Sequence, residues 1–419
     1  MNKTRLFQKT LLAVAVSVTA QQSFAAGFQL NAQSATGLGR AFAGDAVIAD
    51  NASVIAKNPA AMSLFDDVSL SLGFETITTL IDVKDATYTN KLAAQSENAD
   101  YSGAGDTSVA PNFYLVVPVN EKFAWGINAY SNFGTKTEFN DNYTGHEFGG
   151  STDVKSFNFG VVGSYRINQE WSLGAGLDLI YGKGKFRRPL NSTEASLLGT
   201  NVGTDLNADG WALGYNLGTV YEYNENNRFG LDYHYSPDIN ADGDVSYAKY
   251  SAASGSISDT VVMPLPDFAE FSGYHRLNDS YAIHYSIQWI KWSEFDVLAA
   301  DTSGIINEYQ WKDGWHYSLG GTYFLNPTWT LRAGYMYDTS AQDNTRSISV
   351  PDSDRQWLSA GVTYHLDEKS NVDFGFTYLI GKDVSVSEST TVSGTEAATI
   401  QGTTHADAVL MALQYSRSF

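Results

Sequence analysis

The 419-residue chain contains no cysteine, and only 17% of its residues are charged. Without cysteine it can form no disulfide, no thiolate zinc site and no cysteine nucleophile. Positive charge is also scarce, since 26 lysine and arginine residues face 46 acidic ones, and a formal net charge of −20 argues against nucleic acid as a partner. Beyond the N-terminus no apolar run reaches the roughly 18 residues of a membrane-spanning helix, which excludes a helical membrane protein.

The N-terminus predicts export from the cytoplasm. Residues 1–25 begin with three basic residues, continue with the apolar stretch 11–20 and end in Ser23-Phe24-Ala25, which has small residues at the two positions that a signal peptidase recognises. We expect residues 1–25 to be a secretory signal peptide. The alternative, an N-terminal membrane anchor, needs an apolar stretch about twice as long.

The rest of the chain is rich in aromatic residues and glycine, and it alternates apolar residues with small or polar ones. In the segment 281–291 the odd positions 281 to 289 are Tyr, Ile, Tyr, Ile and Trp, whereas His, Ser and Gln lie between them. A period of two with one apolar face predicts strands that are buried on one side. We expect fourteen of them, at about residues 68–82, 108–119, 123–137, 154–165, 171–187, 210–223, 227–238, 266–276, 281–291, 314–324, 329–338, 355–365, 370–381 and 405–419.

The connections between these strands alternate strictly between six short turns and seven long loops. That order is typical of an even-stranded barrel in an outer membrane, with the turns in the periplasm and the loops outside the cell. Aromatic residues collect at the strand ends, as they do at lipid–water interfaces. The sequence therefore predicts an all-β fold, a 14-stranded antiparallel transmembrane β-barrel over residues 68–419, located in the bacterial outer membrane.

Residues 26–67 lack the alternation of strands and are rich in Ala, Gly and Asn. Small residues of this kind pack in a confined space, whereas a free tail would carry more charge. A fourteen-stranded barrel is wide enough to conduct water unless it is filled. We therefore expect residues 26–67 to form an N-terminal hatch, or plug, inside the lumen; we call them the hatch segment.

Several motifs resemble the FadL-type outer-membrane transporters of long-chain fatty acids, a family that also includes transporters of aromatic hydrocarbons. The motifs are AGFQL at 26–30, GLGRAFAGDA at 37–46, KNPA at 57–60, EFND at 138–141, FSGYHR at 271–276 and RSISVPDSDRQWLSAG at 346–361. The resemblance extends across the whole mature chain. It implies a monomer, surrounded by membrane lipid and lipopolysaccharide, that takes up hydrophobic small molecules without an energy source or a cofactor.

The same resemblance implies a route for the ligand. A groove among the outer loops passes the molecule to a pocket in the upper barrel. Movement of the hatch then opens a gap in the wall at an inward kink of the third strand, and the molecule leaves sideways into the membrane.

Two groups of residues are candidates for the moving parts. Asn132, Phe133 and Gly134 lie on the third strand, where glycine often marks a bend, and the resemblance makes them the lateral gate. An ordinary glycine of a glycine-rich barrel is the alternative. Asn58, Pro59 and Ala60 form the hatch motif, in which proline fixes the turn and asparagine can bond nearby backbone. This motif is either a switch or only a helix stop, and we favour the switch.

Four residues are candidates for binding the ligand. On the fifth strand the odd positions are apolar, so Arg188 points into the lumen, at the position where the family places an arginine for the head group. Its planar guanidinium suits a carboxylate. Parity also turns Lys312 and Asp338 inward, with Asp338 as the electrostatic partner of Arg188, and Phe28 is expected to reach the pocket from the hatch. A structural network of salt bridges in the lumen is the alternative for the charged residues.

Other classes of function are less well supported. Uptake of aromatic compounds by the same route is the main alternative to fatty acids. A general diffusion porin conflicts with the plug, and a lipase using Ser286 and His284 lacks a nucleophile elbow. We expect no metal, because residues 238–249 begin like a calcium loop but end in Lys249 instead of glutamate.

Overall fold

The computed structural model describes residues 27–31, 33–247, 256–342, 346–392 and 394–419, so that the predicted signal peptide, 1–25, lies outside the described residues. The described residues form a closed antiparallel barrel of fourteen strands, which confirms the predicted fold. Each strand pairs with its neighbour in sequence, and β1 pairs with β14 to close the wall. Among the described residues, no helix is both long and apolar enough to cross a bilayer.

The barrel strands are numbered in chain order, and three of them are interrupted. They are β1 (Ser69–Asn90), β2 (Thr107–Pro118), β3 (Phe123–Tyr130 and Gly134–Glu138), β4 (Ser151–Arg166), β5 (Trp171–Pro189), β6 (Val202–Asn224), β7 (Asn227–Tyr235 and Ile239–Tyr247), β8 (Ile257–Met263 and Phe268–Arg276), β9 (Tyr281–Ile290), β10 (Gly314–Asn326), β11 (Trp329–Asp338), β12 (Arg355–His365), β13 (Ser370–Gly381) and β14 (Thr395–Ser418).

Several strands continue well beyond their predicted ends on the side of the long loops, whereas the strand ends at the short turns lie within two residues of the prediction. β1 extends to Asn90, β6 begins at Val202 and β14 begins at Thr395, and the expected loop 239–265 contains two strand segments. These predicted boundaries were wrong because the outward face of the extensions is polar, whereas their apolar residues, such as Leu206 and Ala241, face the lumen. An apolar face is needed only where a strand meets lipid, so the alternation that reveals a strand fades beyond the membrane.

Short strands and a helix complete the long-loop end. The strands are Gln95–Asn98, Tyr101–Ser102, Val297–Ala300, Gly304–Glu308 and Val384–Val392, and the α-helix is Ser192–Leu198.

Each of the six short turns is held by its own first side chain. An asparagine or aspartate at the start of the turn accepts a backbone N–H from the residue two positions later, and in four of the turns also from the residue three positions later. This local bond reproduces a backbone turn, which is why Asn and Asp favour such positions. The six residues are Asn120, Asn168, Asn224, Asn278, Asn326 and Asp367.

The outer face of the barrel is apolar and the inner face is polar or small. On β5, for example, Leu177 is 59% exposed whereas the adjacent Asp178 is 2% exposed. Near the short turns, aromatic residues pair across neighbouring strands, as in Trp171 with Tyr221 at 4.6 Å between ring centroids. Such pairs stabilise sheets, and their amphipathic rings suit the edge of a bilayer.

The hatch segment packs inside the barrel and is almost entirely buried. It contains three short helices, Ala35–Gly39, Ala52–Ala56 and Pro59–Leu64, each of which begins after a residue whose side chain accepts a backbone N–H. N-caps of this kind bond backbone N–H groups of the first turn, which would otherwise have no partner within such short helices. Residues 27–67 therefore occupy the position expected of a plug.

Glycines on the inner wall allow the backbone of the hatch segment to approach closely. A Cβ atom on Gly218 of β6 would lie 2.0 Å from Asn58 Oδ1, and one on Gly174 of β5 would lie 2.3 Å from the backbone nitrogen of Ala60. A Cβ atom would also overlap backbone atoms of the hatch segment at four other glycines around the lumen, Gly230, Gly334, Gly361 and Gly375. The inner wall thus fits the hatch segment backbone to backbone.

Ion pairs also join the hatch segment to the wall. Arg40 binds Asp45 at 2.8 Å and Asp50 at 3.2 Å, and Asp50 also binds Arg332 of β11 at 3.1 Å. Burial raises the pKa of Asp45 to about 6, although Arg40 opposes that rise. Asp50 thus bridges Arg40 of the hatch segment and Arg332 of the wall.

We expect Gly218→Ala to loosen the hatch segment and to make the barrel permeable to ions. The new methyl group overlaps Asn58, and overpacking of this kind costs about 1–3 kcal/mol. Conductance of the purified protein in a planar bilayer measures the effect. Gly163→Ala on β4 is the matched control, since a Cβ there meets no atom within 4 Å. Equal conductance of the two variants would contradict the fit described above.

Candidate functional site

The third strand is broken at the predicted gate. Its first part ends at Tyr130 and its second part begins at Gly134, and both parts pair with β4. Between them, Ser156 of β4 donates its backbone N–H to the oxygen of Phe133 at 2.8 Å. The extra residue on β3 turns the strand out of register, as a bulge does.

Above this break β2 and β3 separate. They pair from Phe113 and Ala129 down to Pro118 and Ala124, whereas the upper part of β2 pairs with β1 only. The gap closes again at its top, where Glu138 donates its backbone N–H to Ala104 and Lys136 forms an ion pair with Asp106. The wall therefore has a window between β2 and β3.

The start of the hatch segment fills this window from inside. Leu30 donates its backbone N–H to the oxygen of Asn132 at 2.7 Å, and Gly134 donates to the oxygen of Phe28 at 3.0 Å. These bonds form a single antiparallel bridge between Gln29 and Phe133. The side chain of Asn132 also accepts a hydrogen bond from Gln33 at 2.8 Å. The hatch segment thus pairs two of the backbone groups at the break, the C=O of Asn132 and the N–H of Gly134, while Ser156 of β4 pairs those of Phe133.

A cavity of about 450 Å³ lies at the window. Its walls include inward residues of β1 and β14, the first residues of the hatch segment, and outward residues such as Val109 of β2 and Phe157 of β4. Because residues of both faces line it, the cavity connects the lumen with the outer surface of the barrel. We call it the lateral cavity.

A second, smaller pocket lies deeper in the lumen, toward the long loops. It has a volume of about 40 Å³ and an almost wholly apolar lining, and we call it the inner pocket. The residues around it include Phe28, Val154, Phe186, Leu206, Ala208, Ala241, Val261, Met263, Phe295, Leu298, Tyr309 and Val350.

Phe28 lies between the two spaces and lines both of them. Its ring centroid is 4.7 Å from that of Trp292, 5.2 Å from Phe295, 5.7 Å from Trp311 and 6.3 Å from Phe133. Aromatic pairs at such separations are favourable beyond the area they bury. Phe28 is therefore part of the partition between the inner pocket and the lateral cavity, together with Thr135, Val154 and Val350, which also line both spaces.

Arg188 lies beside the inner pocket at the upper end of β5. Its guanidinium stacks on Phe186 at 3.7 Å and donates to Thr152 Oγ1 and to the backbone oxygen of Ser151, both at 2.8 Å. The residue is 8% exposed, and among the described residues it forms no ion pair. The carboxylate of Glu388 acts on Arg188 electrostatically but forms no ion pair with it. A buried cation without a directly bound carboxylate is unusual, because such charges are normally paired.

Asp338 does not pair with Arg188, so that prediction was wrong. Its carboxylate is fully buried and binds Arg355 at 2.7 Å, with Trp357 donating at 3.3 Å and His316 Nε2 at 3.2 Å from the other oxygen. Arg355 is the nearer cation because β11 and β12 place residues 338 and 355 directly opposite each other. Parity predicted that Asp338 faces the lumen but not which cation lies beside it.

Lys312 lies just before β10 and is half-buried. Its backbone N–H donates to Ala341, and it is not among the residues that line either space. Its role in binding stays a prediction.

Asn58 fixes the hatch segment at its other end. Its side chain accepts the N–H of Ala60 at 2.9 Å and donates to the backbone oxygens of Ala46 and of Thr219 on β6, at 2.8 and 3.0 Å. Pro59 begins the helix that follows. The motif is therefore an anchor between the hatch segment and the wall, and its role as a switch stays a prediction.

Two residues that hold Gly27, the first residue of the hatch segment that the structure describes, were not predicted individually. The backbone N–H of Gly27 lies 3.3 Å from Asp352, and Arg355 donates to the backbone oxygen of Gly27 at 3.4 Å. Both lie inside the motif 346–361, which could have identified them. The aromatic neighbours of Phe28 gave a weaker signal, namely tryptophans at positions 292 and 311 in an expected loop.

The comparisons with known proteins agree with this architecture. The family model for "Outer membrane protein transport protein (OMPP1/FadL/TodX)" matches residues 16–419. A "Long-chain fatty acid transport protein" of Escherichia coli O6:H1 is 37% identical, over 93% of this chain and 94% of that protein. "Outer membrane protein P1" of Haemophilus influenzae is 34% identical, over 98% and 99%.

Solved structures share the fold. A Pseudomonas aeruginosa FadL homologue superposes with a TM-score of 0.84 at 22% identity, covering 94% of this chain and all of that one. A toluene transporter of Pseudomonas putida gives 0.67 at 17% identity, covering 94% and 99%. The chain is thus an outer-membrane protein, and it belongs to the OMPP1/FadL/TodX family of outer-membrane transporters, which are not enzymes.

Proposed function

We propose that this protein takes up long-chain fatty acids across the outer membrane, as a monomer surrounded by lipid and lipopolysaccharide. The observation that carries the proposal is Arg188, a buried cation that stacks at the edge of an apolar pocket and forms no ion pair among the described residues. Glu388 is the carboxylate that acts on Arg188 from a distance, and a fatty acid offers what the arrangement lacks, a carboxylate bonded directly to the guanidinium and a chain for the pocket. The relatives named as long-chain fatty acid transport proteins support the same substrate class.

The size of the inner pocket implies that the hatch segment moves. Ligand pockets are usually about 300–1,000 Å³, and the inner pocket has about 40 Å³. Displacement of Phe28 is the shortest way to enlarge it, because the same ring also borders the lateral cavity of about 450 Å³. A ligand that displaces Phe28 thus opens the path toward the window.

The energies allow such a displacement. Two backbone hydrogen bonds and the Gln33–Asn132 bond hold the start of the hatch segment at β3, and each contributes about 0.5–1.5 kcal/mol net. Burying one methylene contributes about 0.8 kcal/mol, so a chain of about 16 carbons can contribute on the order of 10 kcal/mol. Binding of the ligand is therefore able to offset the loss of these bonds.

The route then ends in the membrane. The hatch segment leaves the window, the chain enters the lateral cavity, and it passes between β2 and β3 at Asn132, Phe133 and Gly134 into the bilayer. A water-filled exit would lose the apolar burial that drives binding, whereas lipid preserves it.

We expect Arg188→Ala to weaken oleate binding about tenfold or more, because a charge-assisted hydrogen bond contributes about 1.5–3 kcal/mol. Equilibrium binding of labelled oleate to the purified protein measures the change. Arg187→Ala is the matched control, since its side chain is 55% exposed on the other face of the strand. Arg188→Lys should lie between the two because it keeps the charge but loses the planar fork.

The same experiment distinguishes the second candidate substrate, an aromatic hydrocarbon. Toluene has no charge, so its binding should not depend on Arg188. Binding of toluene together with indifference to oleate would replace the fatty acid with the aromatic class.

We expect a disulfide between Gln29→Cys and Phe133→Cys to stop uptake, because it locks the hatch segment in the window. These residues lie opposite each other in an antiparallel bridge, at a separation that a disulfide can span. Transfer of oleate into liposomes by the oxidised variant measures the block, and the chain has no cysteine of its own to interfere. The same variant after reduction is the control. Equal transfer before and after reduction would contradict movement of the hatch segment.

A further inference from the structure

Two buried polar side chains in the lateral cavity are not used by the route described above. Glu75 of β1 is fully buried, and among the described residues neither of its carboxyl oxygens has a hydrogen-bond partner. Gln29 of the hatch segment is 5% exposed, and among the described residues its side-chain amide oxygen and nitrogen also have no hydrogen-bond partner. Both residues line the lateral cavity.

The other charged residues at this cavity are already paired. Arg355 binds Asp338, and the ion pairs Lys136–Asp106 and Lys155–Asp153 lie at its edge. Asp407 contacts His405 and accepts from Tyr378. Glu75 and Gln29 are therefore the groups at this cavity that a ligand would satisfy.

The chemistry of the two groups defines what they bind. A buried polar group without a partner is destabilising, and an ionised carboxylate without a cation is far more so. Glu75 is consequently held as the neutral acid, with one O–H donor and acceptor capacity that remains. The Gln29 amide likewise both donates and accepts. Together, Glu75 and Gln29 complement a small neutral group that both donates and accepts hydrogen bonds.

We propose that Glu75 and Gln29 form a second head-group site, which binds the polar end of the ligand in neutral form, as a carboxylic acid or an alcohol, after it leaves Arg188. The inference rests on the proposed function and extends it. Apolar side chains line the rest of the cavity for the hydrocarbon chain, among them Ile77, Trp357, Leu379 and Leu410.

A neutral head group is what a sideways exit requires. An ionised carboxylate in hydrocarbon costs many kcal/mol, whereas the protonated acid does not carry that penalty. A hydronium ion from the aqueous solution protonates the carboxylate and becomes water, so no group of the protein changes charge. Two hydrogen bonds between the neutral acid and Glu75 then replace those that the carboxylate made with Arg188.

Two substitutions at position 75 test the site. Glu75→Leu removes the hydrogen-bonding groups but keeps most of the volume, whereas Glu75→Gln keeps a neutral donor and acceptor. The readouts are equilibrium binding of oleate to the protein and the initial rate of oleate transfer into liposomes of phosphatidylcholine. We expect Glu75→Leu to slow transfer about tenfold with oleate affinity within twofold of the wild type, and Glu75→Gln to restore most of the rate.

Transfer of toluene shows whether Glu75 binds a head group or only supports the wall. It has no head group, so its transfer by Glu75→Leu should equal that of the wild type. Slower toluene transfer would mean that Glu75 only supports the wall, and the second site would be overturned. A Glu75→Gln variant as slow as Glu75→Leu would overturn it as well.

The outcome also separates this inference from the function on which it rests. If the wild type transfers oleate and Glu75→Leu is equally fast, only the second site is wrong. If the wild type fails to bind oleate, the proposed function is wrong and the second site is wrong with it.

Discussion

The structure depends on one constraint, that every backbone N–H and C=O inside the membrane must find a partner within the protein. Thirteen pairings along the chain and the β1–β14 pairing meet this requirement around the wall. β3 is the exception, because its break at residues 131–133 frees backbone groups that β2 does not reach. Phe28 and Leu30 of the hatch segment pair with Gly134 and Asn132 at this break, and Ser156 of β4 pairs with Phe133.

This arrangement makes the plug and the opening in the wall parts of one device. The bonds that seal the window are the same bonds that hold the start of the hatch segment, so neither can be released alone. Phe28 lies within this short stretch and helps to separate the inner pocket from the lateral cavity. In the mechanism that we propose, a ligand in the pocket acts directly on the seal, and no signal has to travel across the barrel.

The sequence was most informative where lipid imposes a pattern. Strands such as β5 and β9 were predicted within a few residues, and the inward face of Arg188 followed from parity. It was least informative where a result depends on which strand lies opposite. The pairing of Asp338 with Arg355 and the bridge from Gln29 to Phe133 join residues far apart in the chain, and no local periodicity encodes them. The polar extensions beyond the membrane were missed for the same lack of pattern.

The capped short turns have a consequence for assembly. Each turn is stabilised by a side chain within it, so the alignment of the two strands that it joins is specified by a few adjacent residues. Six hairpins can consequently enter the bilayer already aligned, before the cylinder exists. The errors still open to the growing sheet are confined to the seams between hairpins, where only packing and the long, polar outer segments choose the partner.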